Sequence, residues 1–212
     1  MRGMRTIVRL FGIVAAVAAA TSCGSVVRDS SSPVYLVIDT LGGIRGGSST
    51  TTATSSLLSD VITNVTSPAP CTTAAPCPTI FNDPGTVTLR APLKNTGTST
   101  TTLAPTTNNE VTINRYHVDY IRADGHNVQG VDVPFSFDGA STGTVPANGT
   151  LTLGFELVRH TAKEEAPLVL LKNSNNFIST IAQVTFYGQD RVGNTVSVMG
   201  QIAVTFGNFG DF

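Results

Sequence analysis

The chain has no tryptophan, only three cysteines, and only 13% charged residues across 212 positions. A charged fraction about half the usual ~25% is unusual for a cytosolic enzyme. The formal net charge is −1. Such a balance sets up no field to hold a polyanion, so no nucleic-acid partner is expected. Three cysteines are too few for a zinc site built from two cysteine pairs. No apolar run reaches the ~20 residues that a membrane-spanning helix needs. H-E-x-x-H, S-x-x-K and a glycine-rich phosphate loop are also missing, so no such motif supplies a metalloprotease, a serine–lysine pair or a nucleotide site. Threonine is abundant instead, at 31 residues, with 20 glycines and 11 prolines. That composition favours strands and extended segments.

The first segment reads as an export signal. Arg2, Arg5 and Arg9 precede an uncharged, mostly apolar stretch over 10–20, which is too short to cross a bilayer. The stretch ends Ala20-Thr21-Ser22-Cys23 and is followed by Gly24-Ser25. Small residues just before a cysteine at this place resemble the lipobox of bacterial lipoproteins. The resemblance implies a diacylglycerol on the Cys23 thiol, cleavage before Cys23, and acylation (palmitate-type chains) of the new amine. Ala20 departs from the leucine commoner there. An ordinary secretory signal with a free Cys23 is the alternative. Acyl chains anchor at ~0.8 kcal/mol per buried methylene. Gly24 resembles the outer-membrane sorting pattern of hosts with two membranes. The expected organisation is a signal peptide over 1–22, a polar tether over 23–32, one domain over 33–207 and a tail over 208–212. Losing 1–22 removes Arg2, Arg5 and Arg9 and no acid, so ten basic side chains then face fourteen acidic ones, a net charge of −4.

With Cys23 lipidated, Cys71 and Cys77 remain. In an oxidising compartment they are expected to form a disulfide. The loop is short, so the chain-entropy gain is roughly 2–2.5 kcal/mol. Two threonine-rich, low-complexity stretches, 42–56 and 96–109, are expected to be long loops.

Elsewhere, apolar residues recur with period two. Strands are expected over 34–41, 85–93, 111–122, 131–137 and 151–158. The stretch 56–64 suits a strand or a short helix. Residues 182–206 read as a long antiparallel hairpin turning at Asp190-Arg191-Val192-Gly193-Asn194, with Gly188 and Gly200 marking bulges or sharp twist. A short helix, interrupted by Pro167, is expected in 162–172. The strand–turn–strand at Tyr187-Gly188-Gln189-Asp190-Arg191-Val192-Gly193-Asn194-Thr195 resembles the last hairpin of bacterial immunoglobulin-like and fibronectin-like surface domains. Thr144-Val145-Pro146-Ala147-Asn148-Gly149-Thr150-Leu151 resembles the turn before their middle strand. The resemblance covers about 85–206. It implies an all-β fold, an antiparallel Ig-like β-sandwich of about 7–9 strands, and no activity. The Cys…Trp…Cys signature of antibody domains is missing. Phe206, Phe209 and Phe212 also resemble the terminal signal of outer-membrane barrels, an alternative that the lipobox, the polar threonine loops and the cysteine pair disfavour.

The densest titratable set is Glu156, Arg159, His160, Lys163, Glu164 and Glu165. His160 and Glu164 would meet on a helix, so this connection is the place to look for a ligand site or a hydrolytic centre. A charged loop crossing the end of the domain is the plainer reading. Arg115, His117 and Asp119 share one strand face and could bind a ligand or calcium, though such a row is more often the wet side of a sheet. Asp190 and Asn194 could offer calcium oxygens, but too few. The sequence thus predicts an envelope lipoprotein without cofactor or catalytic residues, held in the membrane by its lipid and bound to an envelope or surface protein.

Overall fold

The computed structural model describes residues 31–98 and 100–210. The expected signal peptide, the lipidation site Cys23, most of the tether and Phe212 lie outside the described residues. The strands in chain order are β1 (Val37–Gly43), β2 (Ser56–Asp60), β3 (Thr63–Val65), β4 (Cys77–Thr79), β5 (Asp83–Arg90), β6 (Gly97–Thr98), β7 (Thr101–Thr102), β8 (Val111–Ile121), β9 (Phe137–Gly139), β10 (Gly143–Val145), β11 (Thr150–Val158), β12 (Phe177–Asp190) and β13 (Thr195–Gly207). A single-turn helix α1 (His160–Glu164) and a 3-10 turn (Leu168–Leu171) lie between β11 and β12. Pro167 separates them, because it lacks the donor a continuous helix would need there.

The small sheet has the order β1-β5-β11. The large sheet runs β10-β8-β12-β13-β2, with β9 also paired to β8. The fold is all-β, as expected. One pairing departs from the antiparallel expectation: β2 lies parallel to β13, Ala203 opposite Ser56 and Gly207 opposite Asp60. Within 56–64 the residues form strand rather than helix; Leu57 is buried while Leu58 is exposed, the period of a one-sided edge strand.

The buried faces of the two sheets share one core. From β8 come Val111, Ile113, Tyr116, Val118 and Tyr120; from β12, Ala182, Val184 and Phe186; from β5 and β11, Val87, Leu89, Phe155 and Leu157. Phe155 of the small sheet packs edge-on against Phe186 at 5.3 Å and Tyr116 at 5.4 Å. Hydroxyls then tie the large sheet to the backbone of β11. The Tyr120 hydroxyl donates to the Leu157 carbonyl at 2.6 Å, and the Tyr116 hydroxyl accepts the Glu156 N–H at 3.0 Å. These bonds satisfy the polar tips of two buried aromatic side chains and backbone groups of a strand that ends the small sheet.

Two sequence expectations change. Residues 131–137 are not a strand until Phe137. Gly130, at φ +76°, donates to the Val133 carbonyl at 2.8 Å, and Asp132 and Val133 both donate to Val128, folding the run into a compact loop. Gly200 sits in an unbroken register rather than a bulge; a side chain there would meet Ile38 of β1 at 2.7 Å, so the glycine permits close sheet-to-sheet approach. The bulge expected at Gly188 is present, on the partner strand: Tyr187 faces Arg115 and Gly188 faces Ile113, leaving Asn114 unpaired.

Register also fixes two poles. At one, Asp190 lies opposite Val111, and Ser32 hydrogen-bonds the Asp190 carboxylate. The described chain thus starts at this pole. At the other, Phe177 lies opposite Gly207 and Asp60 beside it. The connections 44–55, 61–82, 122–136 and 159–176 all leave strands at this far pole. One of them is the finger made by β3 and β4, closed by the Cys71–Cys77 disulfide as expected.

Candidate functional site

The end of β11 and the connection after it carry the six expected site residues to the far pole and then send them apart. Glu156 is half-buried on β11. Its backbone N–H bonds the Tyr116 phenol, whose pKa burial pushes up from the usual value. The Arg159 guanidinium lies over the Phe137 ring at 4.2 Å, and its buried Nε has no hydrogen-bond partner among the described residues. His160 opens α1. Its backbone N–H donates to the Asn82 amide oxygen at 2.6 Å and its Nδ1 faces the same oxygen at 2.9 Å. Glu164 and Glu165 point into solvent. Lys163 turns the other way, into the protein, and is 1% exposed.

Lys163 closes a buried polar cluster. Its Nζ lies 2.9 Å from Oδ2 of Asp83, whose side chain is fully buried. The Asp83 carboxylate also accepts the Ser59 hydroxyl at 2.5 Å and the Gly46 N–H at 2.7 Å. Beside it, Asp60 pairs with Arg45 and accepts the Phe209 N–H at 3.2 Å. Five segments of the far pole are joined this way: β2, the loop after β1, the start of β5, α1 and the C-terminal tail. Ser59, Asp60 and Asp83 escape a reading of motifs. The available signal is scarcity, since Asp60 and Asp83 are the only acids between positions 40 and 109.

A second feature missed in the sequence is Gly139-Ala140-Ser141-Thr142-Gly143, which has the G-x-S-x-G spacing of a nucleophile elbow. Here it joins β9 to β10 instead of a strand to a helix. Nearby, His117 Nδ1 lies 3.2 Å from Asp138, the acid–imidazole half of a triad. The Ser141 hydroxyl, however, donates to the Gly154 carbonyl at 3.0 Å, across on the small sheet. The histidine belongs to the outer face of the large sheet, with Arg115 and Asp119 beside it as the strand period predicts.

Asp190 and Asn194 bond each other. The Asp190 carboxylate accepts the N–H groups of Val192 and Asn194 at 3.0 and 2.9 Å and the Asn194 side-chain amide at 2.8 Å. Gly193, at φ +92°, completes the turn. Burial alone would raise this carboxyl; its donors outweigh burial and hold it below the ordinary 3.8. A depressed native pKa means that stability is present above 3.8 and lost as pH falls through the native value. Asp190→Asn is therefore expected to flatten the acid limb of a stability–pH curve from urea unfolding as pH falls below 3.8, while costing about 1–3 kcal/mol near neutrality. An unchanged acid slope contradicts this.

Among the described residues no group of three or more His, Cys, Asp or Glu is placed to hold a metal ion. No family model and no curated protein matches the chain. Among the described residues no helix is long and apolar enough to cross a membrane.

Proposed function

We propose that the chain is an exported bacterial lipoprotein, anchored through Cys23, whose domain is an Ig-like β-sandwich acting as a non-enzymatic structural or protein-interaction module of the cell envelope. The observation that carries the reading is polarity. The chain leads in at the pole of the Asp190 turn, and four long connections gather at the opposite one. A tether joined to the first pole presents the far pole outward, away from the lipid. Supporting it, the far pole is stiffened from within by the Lys163–Asp83 and Arg45–Asp60 pairs and by the disulfide, which suits a surface held ready for a partner.

Cys23→Ser is expected to abolish labelling by radioactive palmitate and to release the protein from the membrane fraction. A variant that stays membrane-bound as before overturns the anchor. Pull-down with the wild-type protein from detergent-solubilised envelope is expected to recover one stoichiometric partner. Recovery of none overturns the interaction role.

A further inference from the structure

The outer face of the large sheet carries a groove of about 340 Å³ over the bulge in β8. Register builds its walls. On one side Arg115 of β8, Tyr187 of β12 and Ser197 of β13 stand in a row. On the other, Gln189 of β12 lies opposite Thr195 of β13. The rows are two residues apart, about 7 Å along a strand. Gly188 lies between them, and the bulged Asn114 adds a second carboxamide. A side chain at Gly188 would come within 2.6 Å of the Thr112 carbonyl, so the glycine lets β12 close on β8 beneath the groove.

The chemistry of these walls is specific. The Arg115 guanidinium lies over the Tyr187 ring at 3.9 Å, which fixes its plane. Arg115 stays more than half exposed, and its ion pair with Asp138 is long, at 3.6 Å, and solvent-exposed on both sides, so a ligand carboxylate can compete for the guanidinium. Its side chain also lines the groove. Asn114, Gln189 and Ser197 are exposed beside it and make no side-chain hydrogen bond among the described residues. The lining holds one cation, two amides, hydroxyls and an aromatic ring, with no carboxylate; the one aliphatic residue, Val196, is buried. An apolar peptide finds no complement there, and a single cation does not hold a polyphosphate. A polyol bearing one carboxylate does fit: a planar fork pairs with a carboxylate through two bonds, and amides and hydroxyls pair with ring hydroxyls.

We infer that this groove binds an acidic sugar, a pyranose carrying a carboxylate, with Arg115 on the carboxylate and Asn114 and Gln189 on the hydroxyls. The inference stands on the groove alone and does not depend on the lipid anchor. The test is calorimetric titration of the full-length, detergent-solubilised protein with three probes: digalacturonate, the disaccharide of N-acetylglucosamine and N-acetylmuramic acid, and neutral chitobiose. At least one acidic probe is expected to bind ten times more tightly than chitobiose, and which one does so separates a uronic from a muramic source. Arg115→Ala is expected to weaken that binding at least tenfold and Arg115→Lys to restore only part of it. Gln201→Ala, on the same face outside the groove, is expected to leave it unchanged. Equal binding of acidic and neutral probes, no binding of either, or wild-type affinity in a folded Arg115→Ala variant each overturns the inference.

Discussion

Replacing Lys163 by methionine is expected to lower stability by roughly 3–5 kcal/mol, the usual consequence of stranding one partner of a buried ion pair. Methionine fills most of the lysine stem, so the loss is electrostatic more than steric. Asp83 would keep its bonds from Ser59 and Gly46 but lose the cation 2.9 Å away, in a buried site. The control is the double variant Lys163→Met/Asp83→Asn. It removes both charges of this pair, keeps an acceptor for Gly46, and is expected to regain most of the loss. Urea unfolding of the four proteins of the cycle measures this, and near-additive single losses contradict it. A pH arm follows. Burial pushes the Lys163 ammonium below the ordinary 10.5, and the Asp83 carboxylate opposes but does not cancel that. Between the depressed native value and 10.5 the unfolded chain holds a proton that the native chain has released, so wild-type stability rises with pH relative to the methionine variant.

The same cluster shows where sequence reading stops. The hairpin of β12 and β13 is legible because alternation runs without interruption through both strands and a Gly-Asn turn links them. The wet row Arg115, His117, Asp119 is legible for the same reason. Residues 131–137 alternate equally well, yet Gly130 and Pro134 allow a loop that buries Val133 and leaves Val131 exposed. Period alone cannot separate these cases; hydrogen-bond partners decide them. The charge-dense run from Glu156 to Glu165 draws attention by density, but burial sorts its members, sending Lys163 inward and Glu164 outward from adjacent positions. The ion-pair partner of Lys163, Asp83, lies 80 residues away, and Ser59, which donates to that same carboxylate, lies 24 residues further back. No local pattern encodes a contact of that range. The parallel pairing of β2 with β13 is hidden likewise, since an edge strand shows one buried face whichever way it runs.

Phe186→Ala is expected to cost about 3–5 kcal/mol, the range for removing a fully buried ring from a packed core. At about 2–4 °C per kcal/mol for a chain of this size, the midpoint falls by roughly 10 °C. Phe186 is 0% exposed and lies at the centre of the ring cluster, 5.3 Å from Phe155 across the sheets and 6.2 Å from Tyr116 along its own. The pairing makes the variant a test of how the two sheets depend on each other. If they unfold together, Phe186→Ala and Phe155→Ala each lower one common transition, and a double-mutant cycle returns a coupling of about 0.5–1.5 kcal/mol from the edge-on contact. Two separate transitions, or strictly additive losses, would mean that the small sheet is a cover rather than half of the core. Phe186 and Tyr187 are neighbours on β12 whose side chains leave opposite faces of the sheet, one into the core and one into the outer groove. Below the lowered midpoint, Phe186→Ala is therefore expected to keep wild-type affinity for the acidic disaccharide. Stability and recognition then separate on two adjacent residues, as the two-residue period of a strand requires.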